Sequence, residues 1–409
     1  MGHPFAAYGE LPRLAGRSFL PVAFAARLPF SMTGLGILLL VTTTTGSVGQ
    51  GGLATGAASV GTALLGPVQG RLADRYGQRP VVLVAVALDV LALLAVVAAT
   101  ASGAPTAALL AACFVAGGAA PQVGAFTRAR WVALTRARPA PLRAAMGYES
   151  TADEVTFVLG PALVGVIGAT GRPEATLLLA AALVAGFGTW FALHPTATAG
   201  TRSRARSAEA PRTSAAGLAR LLAAPLVGML GVGVFFGGTQ AALTAFATDL
   251  GRPGAAGLLY AVMGVGSAVT ALAVVALPQG VGLRTRWVVG GAGMAVSLAG
   301  VLGVTSLGGA VAVIAVTGLF VGPTLVTLFT VGGDAAPAGE AGATLTLLVS
   351  GNVVGVAIGA TAAGALADAS AAGDPTPFLV PVLAAVAVAV AGAVPGTAGG
   401  RRTGPPRRA

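Results

Sequence analysis

Lysine is missing from this 409-residue chain: all 24 basic residues are arginine, and charged residues of either sign make up only 9%. Without lysine there is no Walker A phosphate loop, whose lysine must reach the nucleotide phosphates. That argues against direct ATP-driven work by the chain alone. The single cysteine, Cys113, excludes an intrachain disulfide and leaves the redox compartment open. Only two histidines occur, His3 in the N-terminal stretch and His194 at a helix end, too few for a buried catalytic or metal cluster. No G-x-S-x-G, metal-ligand cluster or cofactor motif is visible, so the expectation is no enzyme, no cofactor and no metal. Aromatic residues are scarce at 5%, and no basic face interleaves them. The net charge of +11 therefore does not read as a nucleic-acid surface.

What the chain has in abundance is apolar length. Hydrophobic residues reach 55% and mean hydropathy is +0.86. Runs of about 20 apolar residues, each able to cross roughly 30 Å of hydrocarbon, recur along the chain. Apolar runs and their breakers predict twelve helices. The first six lie near 18–42, 51–70, 80–101, 104–127, 144–169 and 173–193. The second six lie near 222–248, 255–277, 286–304, 307–330, 342–368 and 377–397. The first run lacks an A-x-A-like cleavage site after a short core and reads as an uncleaved helix.

The expected organisation is a cytoplasmic tail (1–17), a six-helix half (18–194), a linker (195–221), a second six-helix half (222–397) and a basic tail (398–409). The linker, with Arg202, Arg204, Arg206 and Arg212 among Ser, Thr and Ala, is too polar to span and too poor in large apolar residues to fold alone. With the N-terminus inside, every arginine but Arg27, Arg172 and Arg252 falls in an inside segment. This asymmetry is what the positive-inside rule demands, so both termini are expected in the cytoplasm.

The densest charge lies in Gly70-Arg-Leu-Ala-Asp-Arg-Tyr-Gly-Gln-Arg79, between the second and third apolar runs. The pattern G-x-L-A-D-R-x-G-x-R resembles the signature loop of the major facilitator superfamily. That resemblance spans nearly the whole chain, from Ser18 to Val394. It implies an all-α, twelve-helix membrane protein of two six-helix halves related by an axis along the membrane normal. It also implies secondary transport of a small molecule by a monomer in a lipid bilayer. In transporters with this loop the Asp, here Asp74, bridges to the other half near the start of helix 11, around Gly342. Arg75 and Arg79 belong to the same gating loop, where Gly70 and Gly77 allow a tight turn and close backbone approach. An ordinary inside turn with topological arginines is the plainer reading. The second-half counterpart, Pro278–Arg286, keeps Arg284 and Arg286 but has no Asp.

Charges inside the apolar runs are the other candidates. Glu149, Asp153 and Glu154 lie in the fifth predicted helix, with Glu149 and Asp153 four apart on one face. A carboxylate at mid-membrane costs roughly 2.5–3.5 kcal/mol on insertion scales, so these need partners, water or protonation. They form either structural pairs, with Glu149 at the headgroups, or a proton or substrate-cation site in which Glu149 is the access-side relay. Arg27, about nine residues and so roughly 13 Å inside the first helix, is the natural counter-charge. It is expected to pair with Asp153 or Glu154, as a switch or as a static bridge. Asp89, in the third helix, reads as a structural contact before a transport group.

Gly160-Pro161-Ala-Leu-Val-Gly165 partly resembles the G-P-x-x-G-G motif of the family's proton-linked drug exporters, with Val164 where a Gly should stand. The exporters' R-x-x-x-G would align with Cys113-Phe-Val-Ala-Gly117, so Cys113 takes the Arg position and weakens that branch assignment. Gly351, Gly355 and Gly359 form a small-residue stripe for close helix packing. The expected function is proton-coupled efflux of a small organic molecule, with protons as the coupling partner, in a bacterial inner membrane. Metabolite uptake or facilitated diffusion is the alternative. A transport-dead receptor or scaffold is less favoured, since no loop is long enough for a large interaction domain.

Overall fold

The computed structural model describes residues 6–135, 139–198, 217, 222–274, 281–337 and 341–394. All regular elements among them are helical. A short helix α1 (Ala6–Ala15) leads into α2 (Phe19–Thr45), followed by α3 (Val48–Tyr76), α4 (Gln78–Ala101), α5 (Thr106–Thr135), α6 (Pro139–Gly168) and α7 (Glu174–Leu193). After the linker come α8 (Ala223–Asp249), α9 (Ala255–Ala273), α10 (Leu283–Gly303), α11 (Leu307–Ala335), α12 (Ala341–Ala369) and α13 (Leu379–Ala393). Among the described residues eleven helices are long and apolar enough to cross a membrane. The 29-residue α3 is longer than most of them but falls outside that set, because Gly, Thr, Gln and charged residues dilute its apolar content.

Two helices break where proline removes a backbone donor and its ring crowds the preceding turn. In α2 the chain turns at Ala26–Arg27 just before Pro29. In α5 it opens at Ala120–Gln122 around Pro121, and Gln69 of α3 donates Nε2 to the freed carbonyls of Gly118 (2.8 Å) and Ala120 (3.0 Å). That capture satisfies groups that would otherwise be orphaned in an apolar interior.

Turns at one end of the molecule use glycines of positive φ: Gly46, Gly103, Gly171, Gly251 and Gly373. At this end helices before the linker meet helices after it. Along α3 and α12, a β-carbon at Gly52 would stand 2.2 Å from Ala360 O. Along α6 and α9, one at Gly165 would stand 2.7 Å from Leu258 N. The opposite end carries the arginine-rich turns. There α3 packs on α5, as Gly66 does against Gln122, and α12 packs on α8, as Gly351 does against Leu226. Contacts between the two sets of helices are thus concentrated at the glycine-turn end. Large apolar side chains such as Leu91, Val166, Leu272, Val296 and Leu383 are exposed on the outer helix faces, where lipid is the matching solvent.

Four expectations are corrected here. Residues 6–15 form a helix rather than a plain tail, because Leu11 is buried with Phe19, Trp131 and Ala145. The charged motif is not a loop: α3 runs helically through Tyr76, only Gly77 (φ +90) turns the chain, and α4 begins at Gln78. Gly70 lies within that helix with nothing within 4 Å of where its β-carbon would be, so it supports neither a turn nor a close approach. The fourth predicted helix continues to Thr135, which brings Arg128 and Arg130 inside it. The core of the linker (199–216) and the tail beyond Val394 lie outside the described residues.

Candidate functional site

The break in α2 puts Arg27 at the head of a buried charged cluster with α5 and α6. Arg27 is 5% exposed and pairs through Nη2 with Glu149, which is fully buried. Glu149 is saturated with donors. Besides Arg27, Thr127 donates its hydroxyl to Oε2 and Trp131 donates its indole N–H to Oε1 at 2.8 Å. Thr127 also accepts from Arg27 Nη2. Three donors on one carboxylate hold it in place.

Asp153 lies one turn further along α6. Its Oδ1 stands 3.6 Å from Arg27 Nε, and its Oδ2 pairs with Arg128 Nη2. Asp153 is 29% exposed and Arg128 41%, so this half of the cluster faces solvent-accessible space while Arg27 and Glu149 do not. Arg27 keeps Nε and Nη1 without any hydrogen-bond partner. The expected pairing is therefore revised. Glu149 is the close partner of Arg27, Asp153 the looser one, and Glu154, half-buried, joins no ion pair among the described residues. The reason is depth. Helix α6 starts at Pro139, which sets Glu149 level with Arg27 and turns Glu154 onto the face that carries Val158, Pro161 and Gly165 toward α9.

A second buried polar cluster lies near the start of α2. Arg130, fully buried, donates Nε to Gln78 Oε1 (2.8 Å) and Nη1 to Phe191 O (3.1 Å) and Thr196 Oγ1 (3.0 Å). Its guanidinium also stacks 3.7 Å above the Phe191 ring. His194 shares a hydrogen bond with Ser18 (3.3 Å) and another with Thr196 (3.0 Å). Burial and the neighbouring Arg130 charge hold its imidazole below the usual value. His194 is therefore a buried polar hub, and no group of three metal-ligating side chains occurs among the described residues. Sequence reasoning missed Arg128, Arg130, Thr127 and Trp131. The signal was available in the spacing of Thr127, Trp131 and Thr135, four apart, which continues a helical face past the arginines.

Of the remaining candidates, Asp89 is 2% exposed with Oδ1 unpartnered, and no hydrogen bond or ion pair joins it to a described residue. Arg75 stacks on its neighbour Tyr76, 5.2 Å from the ring centroid. The side chain around Gly342, the expected partner region of Asp74, lies outside the described residues. Gly160 closes on Ser31 of α2, and Gly165 on Leu258 of α9 and on Gly254 just before it, so the second half of this motif lies at the contact between the two sets of helices. Gly351 packs on Leu226, and β-carbons at Gly355 and Gly359 would stand 2.1 Å and 2.2 Å from Leu230 O and Val234 O of α8. These packing glycines touch no charged group.

The Major Facilitator Superfamily family model matches residues 19–360. The chain belongs to this superfamily. It is a multi-pass membrane protein of a transporter family, and the helical architecture of the described residues, with eleven apolar spans among them, is that fold. Among solved structures, the nucleoside transporter NupG is similar with a TM-score of 0.72 at 14% identity, covering 92% of this chain and 97% of NupG. A POT family transporter in complex with 5-aminolevulinic acid is similar with a TM-score of 0.65 at 12% identity, covering 91% and 94%. The human organic anion transporter MFSD10 (TETRAN) gives 0.56 at 18% identity, covering 90% and 99%. At these identities the likeness is one of fold. No curated protein matches the chain in sequence.

Proposed function

We propose that this transporter is a proton-coupled secondary carrier that exports a small organic molecule, with Asp153 as its proton-exchanging group. One observation carries the reading: Asp153 is the only member of the Arg27–Glu149–Asp153–Arg128 cluster that is a carboxylate, partly solvent-exposed, and shared between two arginines. A carboxylate in that position gains a proton when its arginines move off and loses it when they return. Glu149, sealed by Arg27, Thr127 and Trp131, has no such freedom, and so the relay role expected of it passes to Asp153. Glu154, on the face turned toward α9, is the second exchangeable acid.

The remaining parts follow from the same reading. The arginine-rich end is cytoplasmic by the positive-inside rule, so the shape with its contacts at the glycine-turn end is open to the cytoplasm. The segments 18–194 and 222–397 act as two halves that rock about the site in a monomer of a bacterial inner membrane. Asp74, with Arg75, Gly77 and Arg79, closes the cytoplasmic side when the halves approach. Export is favoured over uptake by the segment Gly160–Gly165, which resembles the exporter motif and whose Pro161 and Gly165 pack against α9.

The test is accumulation in inside-out vesicles or proteoliposomes under an imposed pH gradient. Asp153→Asn should abolish gradient-driven accumulation while leaving substrate exchange at equal pH. Gradient-driven accumulation that survives neutralisation of Asp153, and of Glu154 separately, rejects proton coupling at this helix.

A further inference from the structure

An apolar groove of about 440 Å³ runs between α4 and α7 on the outer surface. Leu83, Ala87, Val90 and Leu91 form one wall, and Ala185 and Thr189 the other. Its floor is Val86, where the helices close so tightly that a β-carbon at Gly188 would stand 2.8 Å from the Val86 side chain. The groove lies where α7 changes its winding. Residues Val184–Gly188 form a π-turn, a rare element with wider i→i+5 bonding. Ala185 and Gly186 within it are exposed and small, so no large side chain from this turn fills the space.

The position of the groove fixes its surroundings. From Leu83 to Leu91 is about 12 Å along α4 at 1.5 Å per residue, beginning little more than a turn after the helix start at Gln78. That length matches one leaflet, about half of the roughly 30 Å hydrocarbon core, and the leaflet is the one at the arginine-rich end. Arg79 sits one turn before Leu83, on the stripe of α4 that continues through Leu83, Ala87 and Leu91. It is exposed, and its side chain makes no ion pair or hydrogen bond among the described residues. No side chain caps the start of α4, so the positive end of that helix adds to the arginine. Across Arg71–Arg79 three arginines stand against one acid, Asp74. On α7, Trp190 follows Thr189, is 51% exposed and stacks on Phe187 at 6.3 Å. Tryptophan favours the headgroup boundary, which sets the mouth of the groove at that level.

An acyl chain in the groove and a negative headgroup at Arg79 satisfy both features at once. A soluble phosphate would meet the arginine and leave the groove unfilled, and an uncharged lipid would fill the groove and leave the arginine unmet. We propose that the α4–α7 groove binds one anionic phospholipid, its acyl chain along Leu83–Leu91 and its phosphate at Arg79. The site requires neither proton coupling nor export.

The experiment reconstitutes the protein in phosphatidylcholine vesicles that carry a minor share of brominated phosphatidylglycerol or, in parallel, of brominated phosphatidylcholine, and records tryptophan quenching. Trp131 and Trp287 are fully buried, so Trp190 gives the signal at the lipid face, and Trp190→Phe should remove it. One arginine near the membrane surface enriches an anionic lipid by about fivefold. Brominated phosphatidylglycerol is therefore expected to quench wild type as if several times more abundant than brominated phosphatidylcholine. Arg79→Gln should make the two lipids equal, whereas Arg75→Gln, whose guanidinium stacks on Tyr76, should keep the preference. Ala87→Phe and Ala185→Phe fill the groove from exposed positions that lipid tolerates, and should abolish the preference with Arg79 intact. Equal quenching in wild type, or a preference that survives Arg79→Gln or both groove-filling variants, overturns the site. Equal loss in Arg75→Gln reduces the effect to the summed charge of the segment and also rejects it. Loss of the preference on adding inorganic phosphate assigns Arg79 to a soluble anion and rejects the lipid.

Discussion

Trp131 donates its indole N–H to Glu149 across 2.8 Å, and that contact joins α5 to α6 directly behind Arg27. Both residues are fully buried. The hydrogen bond holds the Glu149 carboxylate where Arg27 meets it, and so fixes the guanidinium that also reaches toward Asp153.

Removing either charge of the Arg27–Glu149 pair should be costly, because it strands the other in low dielectric. Glu149→Gln and Arg27→Gln are each expected to destabilise by about 3–5 kcal/mol, with the double substitution costing clearly less than the sum. Trp131→Phe removes one donor and keeps most of the packing, so about 1–2 kcal/mol is expected from the weakened charged hydrogen bond. A double-mutant cycle on the melting transition in detergent reads this out. Additive effects for Arg27 and Glu149 would reject the pair as a coupled unit.

Asp74→Asn should insert and fold like the wild type and transport at least tenfold more slowly. The substitution keeps shape and removes only the charge that is proposed to draw the halves together at the arginine-rich end. Rates of initial transport, normalised to correctly inserted protein, provide the measure. A mutant at the wild-type rate would reduce the motif to topological arginines around a helix end.

The helices were legible in the chain because apolar runs of membrane length leave few other structures possible, and most predicted boundaries fall near the observed ones. Two kinds of feature were hidden. Polar residues inside a helix look like loop when read alone: Arg71–Tyr76 continue α3 as a mostly exposed helical turn, and Arg128 and Arg130 are helical with partners elsewhere in space, as Arg130 finds Gln78, Phe191 and Thr196. The second hidden feature is register between helices. Placing Arg27 opposite Asp153 required the start of α6, and an error of a few residues there moves the partner by one turn, from Asp153 to Glu149. The three acids were visible as a group in the sequence, but the division between sealed Glu149 and partly exposed Asp153 depends on Thr127, Trp131 and Arg128 across the helix contact.

Where α3 meets α12, Ser47 donates its hydroxyl to Asp368, and Thr361 donates to Gly52 O at 3.4 Å. The contact tolerates no β-carbon at Gly52, since one would meet the Ala360 backbone at 2.2 Å and backbone cannot step aside. Gly52→Ala is expected to weaken this closed end by about 1–3 kcal/mol, the usual cost of overpacking, and to shift the population toward the state open there. Ser47→Ala should do the same more weakly, because Asp368 is exposed and its contact is screened. Labelling of a cysteine placed at Gln50 reports the shift, since the native Cys113 is buried. An unchanged labelling rate in Gly52→Ala would mean that this packing does not hold the conformation.

His194 ties the start of α2 to the end of α7, through Ser18 on one side and Thr196 on the other, and its ring edge lies 3.8 Å from the β-carbon point of Gly16 at the α1–α2 turn. Its folded-state value is lowered by burial and by Arg130, so the fold prefers the neutral ring. The sign follows from that. In the unfolded or undocked segment the imidazole titrates near 6.5, so the stabilising preference is complete above that pH and is lost as pH falls from there toward the lower folded value. Acidification should therefore loosen the docking of α1 and the start of α2, seen as faster amide exchange over residues 8–20 below about pH 6.5. His194→Gln, which keeps hydrogen-bonding groups without the titration, should flatten that dependence. An exchange rate in wild type that follows only the intrinsic pH dependence of amide chemistry would remove His194 as the cause.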